Sequence, residues 1–361
     1  MEMEGINKTK LKIIITIAVL SKSSIFRFIF GIFNEIYIFF RANWNLLSGK
    51  KVFIKRDHYV PQMILRNFAI DSDKKKGLVF QYERGKNLPT EESISKKVAC
   101  KPGYYLTKNK FTKKMDNIAD DWLNSFLESR CRIIFTRFLS DSGEIQINNA
   151  ELNFLASFVS NLYTRTPAFR AQLKHVICYL LKTGRINVKE LGNKKRLSQI
   201  LSGKDFEQDR MNSHKVGFCV DITGIDNHLI IGGALVADKI TEQIFKKLVS
   251  IYEAPDDIEF IINDNPVRIV NDEKNLTWPD GWDLINKDTL IFIPISRKRC
   301  LVFSGESNKF RNIPIFKADK KFVERVNFYT IYYANDYVYS GEMDADLQNN
   351  FNITKKLHKF S

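Results

Sequence analysis

The spacing of apolar positions changes character several times along the chain. Residues 13–20 (IIITIAVL) and 25–40 (IFRFIFGIFNEIYIFF) are strongly apolar runs, split by Ser21, Lys22, Ser23 and Ser24 and interrupted by Arg27, Asn34 and Glu35. Each run is shorter, or carries more charge, than the roughly 20 apolar residues of a membrane span. LVFQYER at 78–84, and YYLT at 104–107 behind Pro102-Gly103, have the aromatic and β-branched content of short strands. From Asp116 the period becomes helical. Ile118, Trp122, Phe126 and Leu127 share a face, and Ile133, Ile134 and Leu139 continue it. After a polar break at 140–149, Leu152, Leu155, Phe158, Val159 and Leu162 predict a second helix running from Ala150 towards Leu181. Two such helices joined by a short loop pack antiparallel.

Residues 184–215 are polar and mixed in charge, and read as a connection or a solvated helix. Asp226 or Asn227 caps a predicted helix through Tyr252, ended by Pro255. Beyond Asp256 the texture turns to β: FIIN (260–263), VRIV (267–270), TLIFIPI (289–295) and CLVF (300–303), followed by a last amphipathic helix at 320–334. The fold class is α+β, a helical middle region with a C-terminal antiparallel sheet and a packing helix. The predicted organisation is an apolar basic leader at 1–50, one α+β domain at 51–345 and a polar basic tail at 346–361.

Composition narrows this picture. With 44% apolar residues and 28 Phe among 361, a wholly disordered chain is excluded, and 17 Gly and 9 Pro without a period exclude collagen-like and repeat architectures. Lys and Arg number 56 against 41 Asp and Glu, a net charge of +15. Residues 1–56 hold ten basic and three acidic residues, +7, which leaves +8 for the remaining chain. The leader therefore has competing readings: a hairpin or interfacial helix on an anionic membrane surface through residues 11–56, an amphipathic helix packed on the body or on a partner, or upstream sequence read from an early start. Cys100, Cys131, Cys178, Cys219 and Cys300 are scattered singly, which suits a reducing cytoplasm, with the leader giving a peripheral membrane contact if it binds lipid.

Four blocks stand out by their polar residues. They are His58-Tyr59-Val60-Pro61-Gln62 followed by Leu65-Arg66-Asn67-Phe68; Arg165-Thr166-Pro167-Ala168-Phe169-Arg170; Phe260-Ile261-Ile262-Asn263-Asp264-Asn265-Pro266-Val267; and Ile291-Phe292-Ile293-Pro294-Ile295-Ser296. In this order they resemble a bacterial family of unknown function that opens with a His-x-Val-Pro-x-x-x-Leu-Arg-x-Phe signature and carries later R-x-P-x-F-R, F-x-T-S-D-N-P-V and F-P-L-S-P elements. Ile262 and Asn263 stand where Thr and Ser are usual, and Arg297 replaces the second proline of the last element. The resemblance covers roughly residues 56–340. It implies a single bacterial domain without an assigned activity, found in some mobile and phage-defence gene neighbourhoods. Residues 1–50 are not part of it.

The chemistry of these blocks has more than one reading. His58, after Asp57 and before Pro61 and Asn67, is similar in outline to the histidine of HNH nucleases that activates water while a second ligand holds a metal. It also suits a histidine that holds a turn, or an acid/base group without metal. Asp264, with Asp272-Glu273-Lys274 eight residues on, mimics the D…(D/E)-x-K pattern that binds Mg²⁺ in many nucleases, while Asp264-Asn265-Pro266 equally suits an Asx turn between strands. Arg66, Arg165, Arg170 and Arg297 offer guanidinium forks for phosphate or carboxylate, or ties between the two halves of the fold. Asn67, Asn265 and Ser296 complete the candidate set. The sequence has no P-loop, no dinucleotide turn, no H-E-x-x-H and no G-x-S-x-G. Two functions remain: a defence or toxin effector that acts on nucleic acid, with His58 and Asp264 at the site, and a non-enzymatic sensor or binding module.

Overall fold

The computed structural model describes residues 56–70, 77–108, 115–116, 118–184, 225–270, 289–305 and 312–358. The predicted leader, almost all of the polar stretch at 184–215, and Asp272-Glu273-Lys274 fall outside them. The chain divides into two compact units. The described part of the smaller one holds β5 and β6 paired antiparallel, with helix α2 after them. The larger unit, Ile54–Tyr105 with Leu123–Ser361, carries all four blocks.

In chain order the elements are β1 (Arg56–His58), α1 (Gln62–Leu65) with a 3-10 turn at Arg66–Phe68, β2 (Leu78–Glu83), β3 (Thr90–Ser93), β4 (Cys100–Pro102), β5 (Thr107–Lys108), β6 (Met115–Asp116) and α2 (Ile118–Trp122). A π-helical turn at Leu123–Glu128 leads into α3 (Ser129–Ser140). Then come β7 (Ile145–Gln146), α4 (Asn149–Thr164), α5 (Pro167–Lys182), α6 (Ile225–Ile244), β8 (Leu248–Glu253), β9 (Ile262–Asn263), β10 (Arg268–Val270), β11 (Leu290–Pro294), β12 (Arg299–Ser304), β13 (Asn312–Ile313), β14 (Ile315–Lys317), α7 (Lys320–Tyr332), β15 (Tyr337–Ser340) and α8 (Ala345–His358). The class is α+β.

Four boundaries differ from the expectation. The helix expected from Ala150 to Leu181 is two, because Pro167 cannot donate to the preceding turn. Thr166 instead caps α5, its Oγ1 accepting from Phe169 N at 3.3 Å. The helix expected through Tyr252 ends at Ile244, and Leu248–Glu253 is a strand. Its Val249, Ile251 and Tyr252 suit a central position, paired with β12 on one side and β14 on the other. The polar tail expected from 346 contains helix α8, whose Leu347 and Phe351, one turn apart, enter a core with Tyr82, Ile261, Ala334 and Val338. The fully buried Phe351 alone contributes about 2 kcal/mol of hydrophobic stabilisation. The strand expected at 104–107 shrinks to β5, and Tyr104 and Tyr105 lie in the preceding turn.

The helical middle packs tightly. An Asn148–Glu151 capping box starts α4. Phe135 of α3 meets Phe158 of α4 at 5.2 Å between ring centres, and Gly233 of α6 lets Thr164 of α4 come within 3.4 Å of where a Cβ would stand. The five-stranded sheet runs β10-β11-β12-β8-β14, antiparallel except for β14, which is parallel to β8. Arg299 ties it to the helices through Phe138 O at 2.6 Å, and α7 packs on it by stacking Phe322 on Tyr252 at 4.4 Å. A four-stranded sheet, β3-β2-β15-β9, takes α8 against it. Among the described residues no helix is long and apolar enough to cross a membrane.

Candidate anion-binding site

The four blocks, up to 238 positions apart between His58 and Ser296, are brought together by hydrogen bonds and ring contacts. Asn67 of the first block donates from Nδ2 to Ile295 O at 2.9 Å and to Met63 O at 3.2 Å, and its own carbonyl accepts from Arg297 N at 3.3 Å. Tyr104 joins the first block to the second: its ring lies 5.6 Å from that of Tyr59, and its hydroxyl donates to Arg165 O at 2.9 Å. Arg170 in turn sits 3.5 Å over the Tyr104 ring and donates to its carbonyl at 2.8 Å. The Thr166 hydroxyl lies 3.4 Å from Asn265 Oδ1, linking the second block to the third.

Within this assembly Asp264 is closed. It is 2% exposed, and its carboxylate accepts from Asn335 N at 2.8 Å, Asp336 N at 2.7 Å and Tyr337 N at 3.1 Å. Burial pushes its carboxyl up to about 6, helped by the nearby Asp336 carboxylate and opposed by those three donors. Asn263 makes the Asx turn, Oδ1 accepting from Asn265 N at 2.9 Å, and Arg268 donates to Asn265 O at 2.8 Å. Tyr59 and Tyr339 flank the carboxylate. Burial raises both phenols well above their ordinary range, and both lie in the field of Asp264. Among the described residues the fully buried Tyr339 hydroxyl has no hydrogen-bond partner of good geometry.

Arg165 and Arg297 face carboxylates. Arg165, 6% exposed, pairs with Glu128 at 2.9 Å. Arg297 bridges Glu259 and Glu342, the latter at 2.8 Å. Gly341 is what lets it do so, since a Cβ there would meet the Arg297 guanidinium at 2.8 to 3.0 Å. Ser296 holds the β11–β12 turn, its Oγ accepting from Lys298 N at 3.2 Å and Arg299 N at 2.9 Å. No three His, Cys, Asp or Glu among the described residues stand together as a metal would require. Three of the described cysteines, Cys131, Cys178 and Cys300, are buried and outside any disulfide.

The first block is different. His58, Gln62 and Arg66 are half-buried and lie one helical turn apart in sequence along the entry to α1. His58 Nε2 lies 2.7 Å from Ile94 O, Gln62 Nε2 lies 3.4 Å from His58 Nδ1, and Arg66 Nη2 donates to Gln62 Oε1 at 3.1 Å. Only one proton arrangement satisfies all three contacts. A carbonyl only accepts, so His58 carries its proton on Nε2. A guanidinium only donates, so Gln62 turns its oxygen to Arg66 and its amide N–H to His58, whose Nδ1 must be a lone pair. Asp57 anchors the row from behind, its Oδ2 accepting from Tyr105 N at 3.0 Å, while the Tyr105 hydroxyl lies 3.4 Å from His58 O.

Residues 56–344 match the family described as Protein of unknown function (DUF4238). The chain belongs to this family. No curated protein and no solved structure matches it. The match spans all four blocks. Gln62, Tyr104 and Glu128 also take part, although none of them belongs to the candidate set read from sequence. The i, i+4, i+8 spacing of His58, Gln62 and Arg66 was a usable signal for Gln62, whereas nothing in sequence marks Glu128 as the partner of Arg165.

Proposed function

We infer that this DUF4238 chain is a binding module for phosphodiester groups, with nucleic acid as its ligand and the His58–Gln62–Arg66 row as the contact. The observation that supports the reading is that row: a histidine, an amide and an arginine aligned at a half-buried edge, in a chain of net charge +15. Phosphate recognition needs directional donors, and a guanidinium fork supplies them. Asp264, Arg165 and Arg297 hold backbone and carboxylate partners and keep the row's platform rigid. In the effector form of this reading, a nuclease of a defence or toxin system, His58 Nδ1 would be the acid/base atom. The Asp272-Glu273-Lys274 segment would then be the place for Mg²⁺.

The test is binding of short single-stranded RNA and DNA by the full chain at rising salt. The expected result is an affinity that falls steeply with salt, as counterion release requires, and that drops about tenfold or more in Arg66→Ala and His58→Ala. Absence of binding at low salt overturns the reading. Incubation with Mg²⁺ in the same series separates module from nuclease, by whether the strand stays intact. A second contact, with an anionic membrane surface, rests on the apolar runs and the +7 charge of residues 1–56. Flotation with phosphatidylserine vesicles tests it, and recovery only in the soluble fraction rejects it.

A further inference from the structure

We propose that the outer face of α7, with the neighbouring edge strand β14, is a stacking platform for the bases of single-stranded nucleic acid. This surface shares no residue with the His58–Gln62–Arg66 row, and its chemistry is independent of it. In α7 the buried Val323, Val326 and Thr330 face the sheet, so Lys321, Arg325, Phe328 and Tyr332, four, three and four positions apart, fall on the outer side. Among the described residues the large apolar side chains open to solvent include two aromatic ones, Phe316 of β14 and Phe328 of α7, each 46% exposed. Each heads a cluster of rings. Phe316 lies 5.4 Å from Tyr252, which stacks on Phe322 at 4.4 Å, while Phe328 is flanked by Tyr329 at 5.9 Å and by the near-parallel Tyr332 at 5.8 Å. The buried Phe292 of β11 joins the two clusters, 6.0 Å from Phe322 and 6.2 Å from Tyr329.

These rings are held before any ligand arrives. Phe292 roots them in the sheet, and Asp319 caps α7 by accepting from Phe322 N at 2.7 Å, so little ordering entropy remains to be lost on binding. Cations border them: Lys317, Lys320, Lys321 and Arg325 are all exposed. The carboxylates on this surface are Glu253, 2.8 Å from Lys317, Asp257, 3.5 Å from Lys320, the exposed Glu324, and Asp319, which is committed to the cap. Lys321 makes no ion pair among the described residues. Exposed pairs such as the first two contribute little and exchange readily for a phosphate. Open ring faces beside ammonium groups suit a strand whose bases stack and whose phosphates are anionic. An apolar partner helix would instead bury Lys321 and Arg325 against its own surface at a desolvation cost. A duplex keeps its base faces stacked inside, so the strand is single.

The experiment uses the full chain and follows the anisotropy of a dye-labelled oligo-dT of about ten nucleotides, against an abasic strand with the same number of phosphates, at fixed low salt. The wild type is expected to bind oligo-dT about tenfold or more above the abasic strand. Phe316→Ala and Phe328→Ala should each lower oligo-dT affinity about fivefold or more, with abasic affinity unchanged and melting temperatures within about 2 °C of wild type. Phe328→Trp keeps a ring and should retain the affinity, whereas Lys321→Ala should weaken both strands alike. Equal wild-type affinity for the two strands, or oligo-dT affinity unchanged in the Phe316→Ala/Phe328→Ala double variant, overturns the platform. So does a wild-type dimer that this double variant turns into a monomer, since the face then belongs to a second copy of the chain. The row is judged separately by Arg66→Ala, which on the phosphodiester reading weakens both strands. If Arg66→Ala binds as the wild type does while the double variant loses oligo-dT, the row fails and the platform stands. Absence of oligo-dT binding overturns both.

Discussion

Asp264 and His58 belong to blocks of the same knitted assembly, yet one is sealed and the other is poised. The Asp264 carboxylate receives three backbone N–H groups from residues 335–337 at a position 2% exposed, so its acceptors are committed to holding one loop. His58 is half-buried and its Nδ1 lone pair meets the Gln62 side-chain amide, which can turn over. Residue type alone would rank the carboxylate as the stronger catalytic candidate. Surroundings reverse the order: a group whose partners are backbone stabilises structure, while a group whose partner is a rotatable side chain can exchange it for a ligand.

The contrast can be broken most severely at Asp264. Replacing it with Ala removes the acceptor of three part-buried hydrogen bonds from the loop at 335–337, and the expected loss is about 3 kcal/mol, measured by denaturant unfolding. An unchanged midpoint would mean the loop finds other acceptors. Asp264→Asn adds a pH signature. The folded carboxyl titrates at about 6, above its ordinary 3.8, so in the window between these values the folded state holds a proton that the unfolded chain has released. Stability from this group therefore rises as pH falls from 6 towards 3.8. The wild type should gain on Asp264→Asn over that interval, and parallel pH–stability curves would show that Asp264 titrates at its ordinary value.

Arg165 comes next. Arg165→Ala leaves the Glu128 carboxylate facing a nearly buried site, with an expected cost of about 3 kcal/mol in the same assay. A cost below about 0.5 kcal/mol, the range of an exposed pair, would place Arg165 with the open row instead. Smaller again is Gly341→Ala, where the new methyl displaces Arg297 from Glu259 and Glu342 and should cost about 1 kcal/mol. Its double variant with Arg297→Ala should recover part of that loss, because the clash is gone.

The sequence carried the alternation from helical middle to β-rich end, because period and β-branching are local properties. It also carried the four blocks, as an ordered resemblance. Two departures share one source: the apolar faces of 150–181 and 226–252 run on through positions where Pro167 and the β-forming run Val249–Tyr252 change the backbone, and hydrophobic spacing alone does not register a lost N–H or a distant strand partner. The site was legible as a residue list and not as a division of labour. That Asp264 faces 335–337, that Arg165 faces Glu128, and that Gln62 sits between His58 and Arg66 with one consistent proton arrangement are facts of tertiary placement.

The most direct test sets the open row against the closed knot in one measurement: single-stranded RNA affinity and melting temperature recorded together for Arg66→Ala and Arg297→Ala. The account predicts that Arg66→Ala loses about tenfold or more in affinity with its melting temperature within about 2 °C of wild type, while Arg297→Ala melts lower and binds as the wild type does below its transition. An Arg66→Ala variant that binds RNA like the wild type, or an Arg297→Ala variant that loses binding without losing stability, would contradict it.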